Sequence, residues 1–140
     1  MLTVYYGHPV DGLSRTELEN GFTTLHESIA GIEHRIVNEE FVLSQFEDGR
    51  LNDEIPPSII VDTEIEMMKT SDIFVVDFLR QPHFYIGCLG ELIYSKIFDV
   101  PSIALVDNAN AGRPWLQYHA TRIIAGYADV ERALRDIIAI

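Results

Sequence analysis

The sequence predicts a single α/β domain, residues 1–140, in which helices cover both faces of a five-stranded parallel sheet. The first observation is that predicted strands and helices alternate along the chain, as they do in parallel sheets. The second is that strands 73–76 and 103–106 are continuously apolar, which is typical of strands buried on both faces. The third is the length of 140 residues, which is that of one ordinary domain.

The first quarter of the chain predicts a strand, a loop and a helix. Residues 2–6 form an apolar and aromatic strand, and the Gly and Pro content of residues 7–12 indicates a loop. Ser14 and Glu17 have the spacing of a capping box, and apolar residues follow at helical intervals. We expect this helix to end at Gly31.

The remainder predicts a second strand, an irregular acidic stretch and then regular alternation. The stretch at 38–57 has no periodicity and ends at two prolines, and segments of that length without secondary structure are often functional. The other predicted elements are strand 34–37, helix 58–71, strand 73–76, helix 87–98, strand 103–106, a short helix 114–119, strand 122–125 and helix 130–140. In helix 87–98 we expect a buried apolar stripe made of Leu89, Leu92, Ile93 and Ile97.

The composition limits the partners and the compartment. The net charge is −12 and no cluster of Lys and Arg exists, so a nucleic-acid polymer is not expected as a ligand. No apolar run reaches the ~20 residues that span a bilayer, and no signal peptide is recognisable, so no membrane association is expected. Cys88 is the lone cysteine, which fits a reducing, cytoplasmic location.

Candidate functional residues follow the carboxyl ends of the predicted strands, where open α/β sheets bind ligands. These residues are Tyr5, Tyr6, Gly7, His8, Asp77, Asp107 and the segment 83–91. Glu91 is expected in the first turn of helix 87–98, with Gly87 before it. An acid there stabilises a helix by ~0.3–1 kcal/mol, but an ionised carboxylate at a helix start is also a nucleophile for an oxocarbenium-like carbon.

A second carboxylate near Glu91 would allow proton transfer to a leaving group. Glu64 and Asp62 lie in the preceding helix, where solvated surface acids are the ordinary interpretation. Asp77 either caps a loop or contacts a ligand. Aromatic residues near this edge, Tyr85 among them, are suited to hold a planar base.

No metal or cofactor is expected. The five histidines lack the short spacings of zinc sites. The sequence contains no P-loop and no G-x-G-x-x-G motif.

Four short motifs in order resemble the nucleoside 2-deoxyribosyltransferase superfamily, which includes the 2′-deoxynucleoside 5′-monophosphate N-hydrolases. The motifs are Tyr5-Tyr6-Gly7-His8-Pro9, Glu64 eight residues before Asp72, Gly87-x-x-x-Glu91-Leu92-x-Tyr94, and Gly112-Arg113-Pro114. The resemblance implies a flavodoxin-like, Rossmann-like sheet and cleavage of an N-glycosidic bond. It also implies a homodimer or larger homo-oligomer, in which a neighbouring subunit helps to close the pocket.

The resemblance assigns roles to individual residues. Glu91 matches the nucleophile, Tyr5 an aromatic residue that positions it, and Glu64 a position where the family usually has an Asp that acts on the base. Tyr85 stands where the family commonly has Asp or Ser, six residues before the nucleophile. The predicted substrate-binding residues are Tyr6, Gly7, His8, Asp62, Asp77, Tyr85 and Gly87.

Three functions therefore remain open. The first is transfer of a deoxyribosyl group from a nucleoside to another base, and the second is hydrolysis of nucleoside 5′-monophosphates. The acidic composition and the absence of a Ser/Arg-rich loop after the first strand favour the first. The third is a non-catalytic sensor of a nucleotide-like ligand, which the unusual Tyr85 and Glu64 favour.

Overall fold

The computed structural model of this protein describes residues 1–10, 12–47, 50–80 and 86–140. The strands in this part of the chain are β1 (Leu2–Gly7), β2 (His34–Ile36), β3 (Phe46–Glu47), β4 (Arg50–Leu51), β5 (Ile73–Asp77), β6 (Ser102–Leu105) and β7 (Arg122–Ile124). The helices are α1 (Arg15–Ser28), α2 (Glu39–Ser44), α3 (Pro57–Lys69), α4 (Ile86–Ile97), α5 (Pro114–His119) and α6 (Val130–Ile137), with a 3₁₀ turn at Tyr127–Asp129.

The main sheet has five strands in the order β2-β1-β5-β6-β7, and every neighbouring pair is parallel. The predicted fold class is therefore confirmed. The capping box is also confirmed, because the Ser14 hydroxyl accepts from the Glu17 amide at 3.2 Å and the Glu17 carboxylate accepts from the Ser14 amide at 3.1 Å. Helix α1 ends at Ser28, earlier than the expected Gly31.

The prediction that residues 38–57 are irregular was wrong in part. Helix α2 and the antiparallel pair β3–β4 lie within this stretch, together with the start of α3 at Pro57. These elements are too short for an apolar period to be recognised, and contacts with the rest of the chain stabilise them. Asn38, which precedes α2, is 1% exposed.

Alternation along the strands gives the sheet two separate cores. Tyr6 and Val75 belong to the core on the face covered by α1 and α6. Tyr5, Phe74 and Val76 belong to the other core, which helices α3, α4 and α5 cover. Consecutive residues at the end of β1 therefore face opposite sides of the sheet.

The buried face of α4 differs from the predicted stripe. The buried residues of α4 are Cys88, Leu92 and Ser95, and Ile97 is 63% exposed. Packing against β5, β6 and α3 decides this face, and the small Cys88 and Ser95 side chains turn toward the protein interior. Among the described residues, no helix is long and apolar enough to cross a membrane.

Candidate active site

A cavity of about 290 Å³ lies at the carboxyl end of the sheet, between the end of β1 and the helices α2, α3 and α4. The strand order changes direction here, because β2 lies on one side of β1 and β5 lies on the other. Such a switch point is the usual ligand site of an open α/β sheet. The residues that line the cavity include Tyr5, Tyr6, Gly7, His8, Asn38, Gln45, Glu64, Gly87, Cys88 and Glu91.

Glu91 lies in the second turn of its helix, not in the first turn as expected. Helix α4 begins at Ile86, so Glu91 is its sixth residue and the first turn contains no acid. Burial raises the pKa of Glu91 to about 8, the nearby charge of Glu64 raises it further, and a hydrogen bond from Tyr5 acts in the opposite direction. Desolvation thus outweighs the helix dipole at Glu91, which lies beyond the first turn.

Glu64 is the second carboxylate of the cavity. It lies on α3, and burial raises its pKa to about 7, although the nearby Gln45 amide lowers it somewhat. The repulsion between Glu64 and Glu91 is mutual, since the charge of either one disfavours ionisation of the other. The pKa values of both carboxyl groups therefore lie near neutral pH, at about 7 for Glu64 and about 8 for Glu91.

Tyr5 connects this pair to the sheet. Its side chain is 1% exposed, and burial together with the charges of Glu91 and Glu64 raises its pKa well above 10. The phenol thus stays protonated and donates its hydrogen bond to Glu91. A rigid neutral donor is suited to orient a carboxylate for attack.

Two amide side chains that the sequence did not single out complete the wall formed by α2. The Asn38 side chain accepts from the Tyr6 amide at 3.0 Å and donates to the Tyr6 carbonyl at 2.6 Å, so it holds the end of β1 as a neighbouring strand would. Gln45 is 3% exposed, and its side-chain amide lies beside Glu64, where hydrogen bonding lowers the pKa of that carboxyl group. Neither residue belongs to a recognisable motif.

The end of β1 has little space for larger residues. A Cβ at Gly7 would lie 2.8 Å from the Phe74 ring, so the strand passes close to its neighbour. His8 is 8% exposed, and its Nδ1 lies 2.8 Å from the Pro9 carbonyl oxygen. Burial lowers the pKa of His8, which favours the neutral ring.

Two predicted residues, Asp62 and Asp77, are not among the described residues that line the cavity. Asp62 is exposed. The two carboxylate oxygens of Asp77 accept from the Leu79 amide and the Tyr127 hydroxyl, each at 2.6 Å. Tyr85 lies outside the described residues. Ligand contacts by these three stay predictions.

Among the described residues, neither a reactive thiol nor a group of metal ligands is found at this site. Burial raises the pKa of the Cys88 thiol well above its ordinary value, and the charge of Glu91 raises it further. A thiol of that kind is a poor nucleophile. Within the described part of the chain, no three His, Cys, Asp or Glu side chains are placed to hold a metal ion.

Comparisons with known proteins bear on the fold. No protein-family model and no curated protein sequence matches the chain. A conserved protein from Enterococcus faecalis V583 superimposes with a TM-score of 0.65 at 14% identity, over 99% of both chains. A 2-deoxyribosyltransferase from the psychrotolerant bacterium Bacillus psychrosaccharolyticus superimposes with a TM-score of 0.61 at 15% identity, over 92% of this chain and 90% of the other.

The chain is thus an α/β protein with the fold of a 2-deoxyribosyltransferase, covered over nearly its whole length. This likeness supports the resemblance that the motifs indicated. At 15% identity it shows the fold, and the reaction has to be argued from the residues of the cavity.

Proposed function

We propose that the protein cleaves the N-glycosidic bond of a deoxyribonucleoside and transfers the deoxyribosyl group to another nucleobase. The observation that carries this proposal is the coupled pair Glu64 and Glu91 on one cavity, with both pKa values raised to about 7 and about 8. Two carboxyl groups that hold one proton between them near neutral pH can supply a nucleophile and a general acid together.

The proposed reaction has two steps. The Glu91 carboxylate attacks C1′ as the glycosidic bond breaks, and Glu64 gives its proton to the leaving base, which produces a covalent glycosyl-Glu91 ester. A second base then attacks C1′, Glu64 takes the proton from it, and Glu91 leaves as a carboxylate. Tyr5 donates to Glu91 throughout, and Gln45 lies beside Glu64, whose pKa it lowers.

The proton distribution that this reaction requires is accessible. The nucleophile must be ionised while Glu64 is protonated, whereas the pKa values of about 8 for Glu91 and about 7 for Glu64 favour the reverse distribution. A difference of about one unit between the two pKa values corresponds to a free energy of roughly 1.4 kcal/mol. A bound base that accepts the Glu64 proton would offset that cost.

The charge of the cavity favours nucleosides over nucleoside monophosphates. The described residues that line it include no Lys and no Arg, which are the cations that usually hold a phosphate group. The start of α4 at Gly87 does line the cavity, and a helix start by itself is a weaker site for a phosphate than one with cations. The net charge of −12 adds a general repulsion of anions. Transfer from a nucleoside is therefore proposed ahead of hydrolysis of a 5′-monophosphate.

Product analysis tests the reaction class. The protein is incubated with deoxyinosine or with dCMP, with and without adenine. We expect deoxyadenosine from deoxyinosine only when adenine is present. Release of cytosine from dCMP without an acceptor would instead establish hydrolysis, and no product from either would favour a binding protein.

The roles of the two carboxylates have separate tests. Glu91→Gln should lower turnover about 10³-fold or more, equivalent to about 4 kcal/mol of barrier, while the exposed Glu66→Gln on α3 should leave it unchanged. Glu64→Gln should cost less, since proton transfer contributes about 10²–10⁴-fold and water substitutes in part. A slow 2′-fluoro substrate should leave its sugar on the peptide that contains Glu91, and full activity of Glu91→Gln would refute the mechanism.

A further inference from the structure

A chain of hydrogen bonds crosses the carboxyl end of the sheet on the face opposite Glu91. The Tyr6 and Tyr127 hydroxyl oxygens lie 2.5 Å apart, and the Tyr127 hydroxyl donates to Asp77 Oδ2 at 2.6 Å. The other oxygen of Asp77 accepts from the Leu79 amide at 2.6 Å. We name this set, Tyr6, Tyr127, Asp77 and the Leu79 amide, the edge brace.

The direction of every hydrogen bond in the edge brace follows from the donors present. The Tyr127 hydroxyl has one proton, which it donates to Asp77. In its contact with Tyr6 the Tyr127 oxygen must therefore accept, and the Tyr6 hydroxyl donates. Tyr6 is 2% exposed and Asp77 is 7% exposed. Loss of the central hydroxyl would therefore leave a buried donor and a buried acceptor unpaired, which is costly.

The edge brace connects parts of the sheet that are not adjacent in order. Tyr127 follows β7, at one edge of the sheet, while Asp77 ends β5 and Tyr6 lies in β1. Strand β6 lies between β5 and β7. The side chain of Tyr127 thus reaches past β6 to hold the ends of two inner strands together.

Both of those strands contact the proposed catalytic groups or the helix that carries them. Tyr6 follows Tyr5 in β1, and the Tyr5 phenol donates to Glu91. Asp77 ends β5, and α4, the helix that carries Glu91, packs against β5. The edge brace therefore acts on the relative position of Tyr5 and the helix that carries Glu91.

We propose that Tyr127 is a positioning residue that keeps Tyr5 and Glu91 in register by bracing the ends of β1 and β5. This inference rests on the proposed function, in which Glu91 is the nucleophile and Tyr5 orients it. Tyr127 itself contacts no reacting atom. Misplacement of catalytic groups by about 1 Å costs up to about 10²-fold in rate, so a loosened brace reduces turnover more than substrate affinity.

The test is Tyr127→Phe, with Tyr118→Phe as the matched control, because Tyr118 is 67% exposed on α5. Tyr127→Phe should lower kcat about 10-fold and change KM less than about twofold. Both constants are measured well below the melting temperature of the variant. The control should match the wild type. A folded Tyr127→Phe with wild-type kcat overturns the proposal, and so does an equal loss in the control.

A second measurement does not depend on turnover. The titration of Glu91 is followed by NMR of ¹³C-labelled glutamate carboxyl groups, with the Glu91→Gln spectrum for assignment. Tyr127→Phe should shift the midpoint of Glu91, because its contact with Tyr5 changes, while Tyr118→Phe should not. An unchanged titration midpoint of Glu91 in Tyr127→Phe overturns the proposed role of Tyr127, even if the wild type is inactive. An inactive wild type together with a shifted midpoint overturns only the proposed function.

Discussion

Replacing Glu91 with Gln should stabilise the protein at alkaline pH even as it removes turnover. The pKa of Glu91 is about 8 in the native state, against an ordinary value of 4.5. At a pH between these two values, Glu91 is protonated in the native state and ionised in the unfolded chain. Because the native state then binds more protons, stability is fully present below about pH 4.5 and falls as the pH rises toward about 8. Gln carries no charge and escapes this loss.

The size of the effect follows from the same pKa values. At about 1.4 kcal/mol per pH unit, raising the pKa from 4.5 to about 8 corresponds to an upper bound of roughly 5 kcal/mol. The amide oxygen of Gln still accepts from Tyr5, whereas water that reaches the partly exposed carboxylate lowers this bound. We expect Glu91→Gln to be about 3 kcal/mol more stable than the wild type at pH 9.

The assay is the melting temperature of both proteins between pH 4 and pH 9.5. A difference of about 3 kcal/mol corresponds to roughly 10 °C in a domain of this size. The two curves should meet near pH 4 and separate as the pH rises. Glu66→Gln is the control, since the Glu66 side chain is 70% exposed, and its curve should follow the wild type. A gap between Glu91→Gln and the wild type that does not change with pH would refute the reasoning.

Three further predictions concern packing and assembly. Gly21→Ala should lower the melting temperature, because a Cβ there would lie 2.8 Å from His8 Nε2 and overpacking of about 1–3 kcal/mol outweighs the roughly 1 kcal/mol gained in helix propensity; a more stable variant would contradict this. Asn38→Ala should reduce the free energy of unfolding in urea by roughly 2–4 kcal/mol, because it leaves the backbone amide and carbonyl of Tyr6 unpaired. An unchanged midpoint of urea unfolding would show that Asn38 does not stabilise the end of β1. Sedimentation at micromolar concentration should show a homodimer or larger, which the 62% exposure of Trp115 supports, and a monomer would end that expectation.

Local patterns were sufficient for much of the architecture. The continuous apolar runs at β5 and β6 and the Ser14–Glu17 capping box predicted those elements because each signal lies within a few neighbouring residues. Glu91 follows the end of a predicted strand, where ligands bind, whereas only the resemblance of the short motifs to the transferase superfamily singled out Glu64. The cavity has both on its wall.

Other features depend on contacts between distant parts of the chain. Asn38 reaches the backbone of Tyr6, and Tyr127 reaches Asp77, and no local period or motif marks such pairings. The sequence by itself determined the alternation of strands and helices, and its short motifs made Glu91 and Glu64 the candidate carboxylates. The tertiary structure decided which face of α4 is buried and that burial raises the pKa of Glu91, because desolvation depends on everything that surrounds a group and not on its neighbours in the chain.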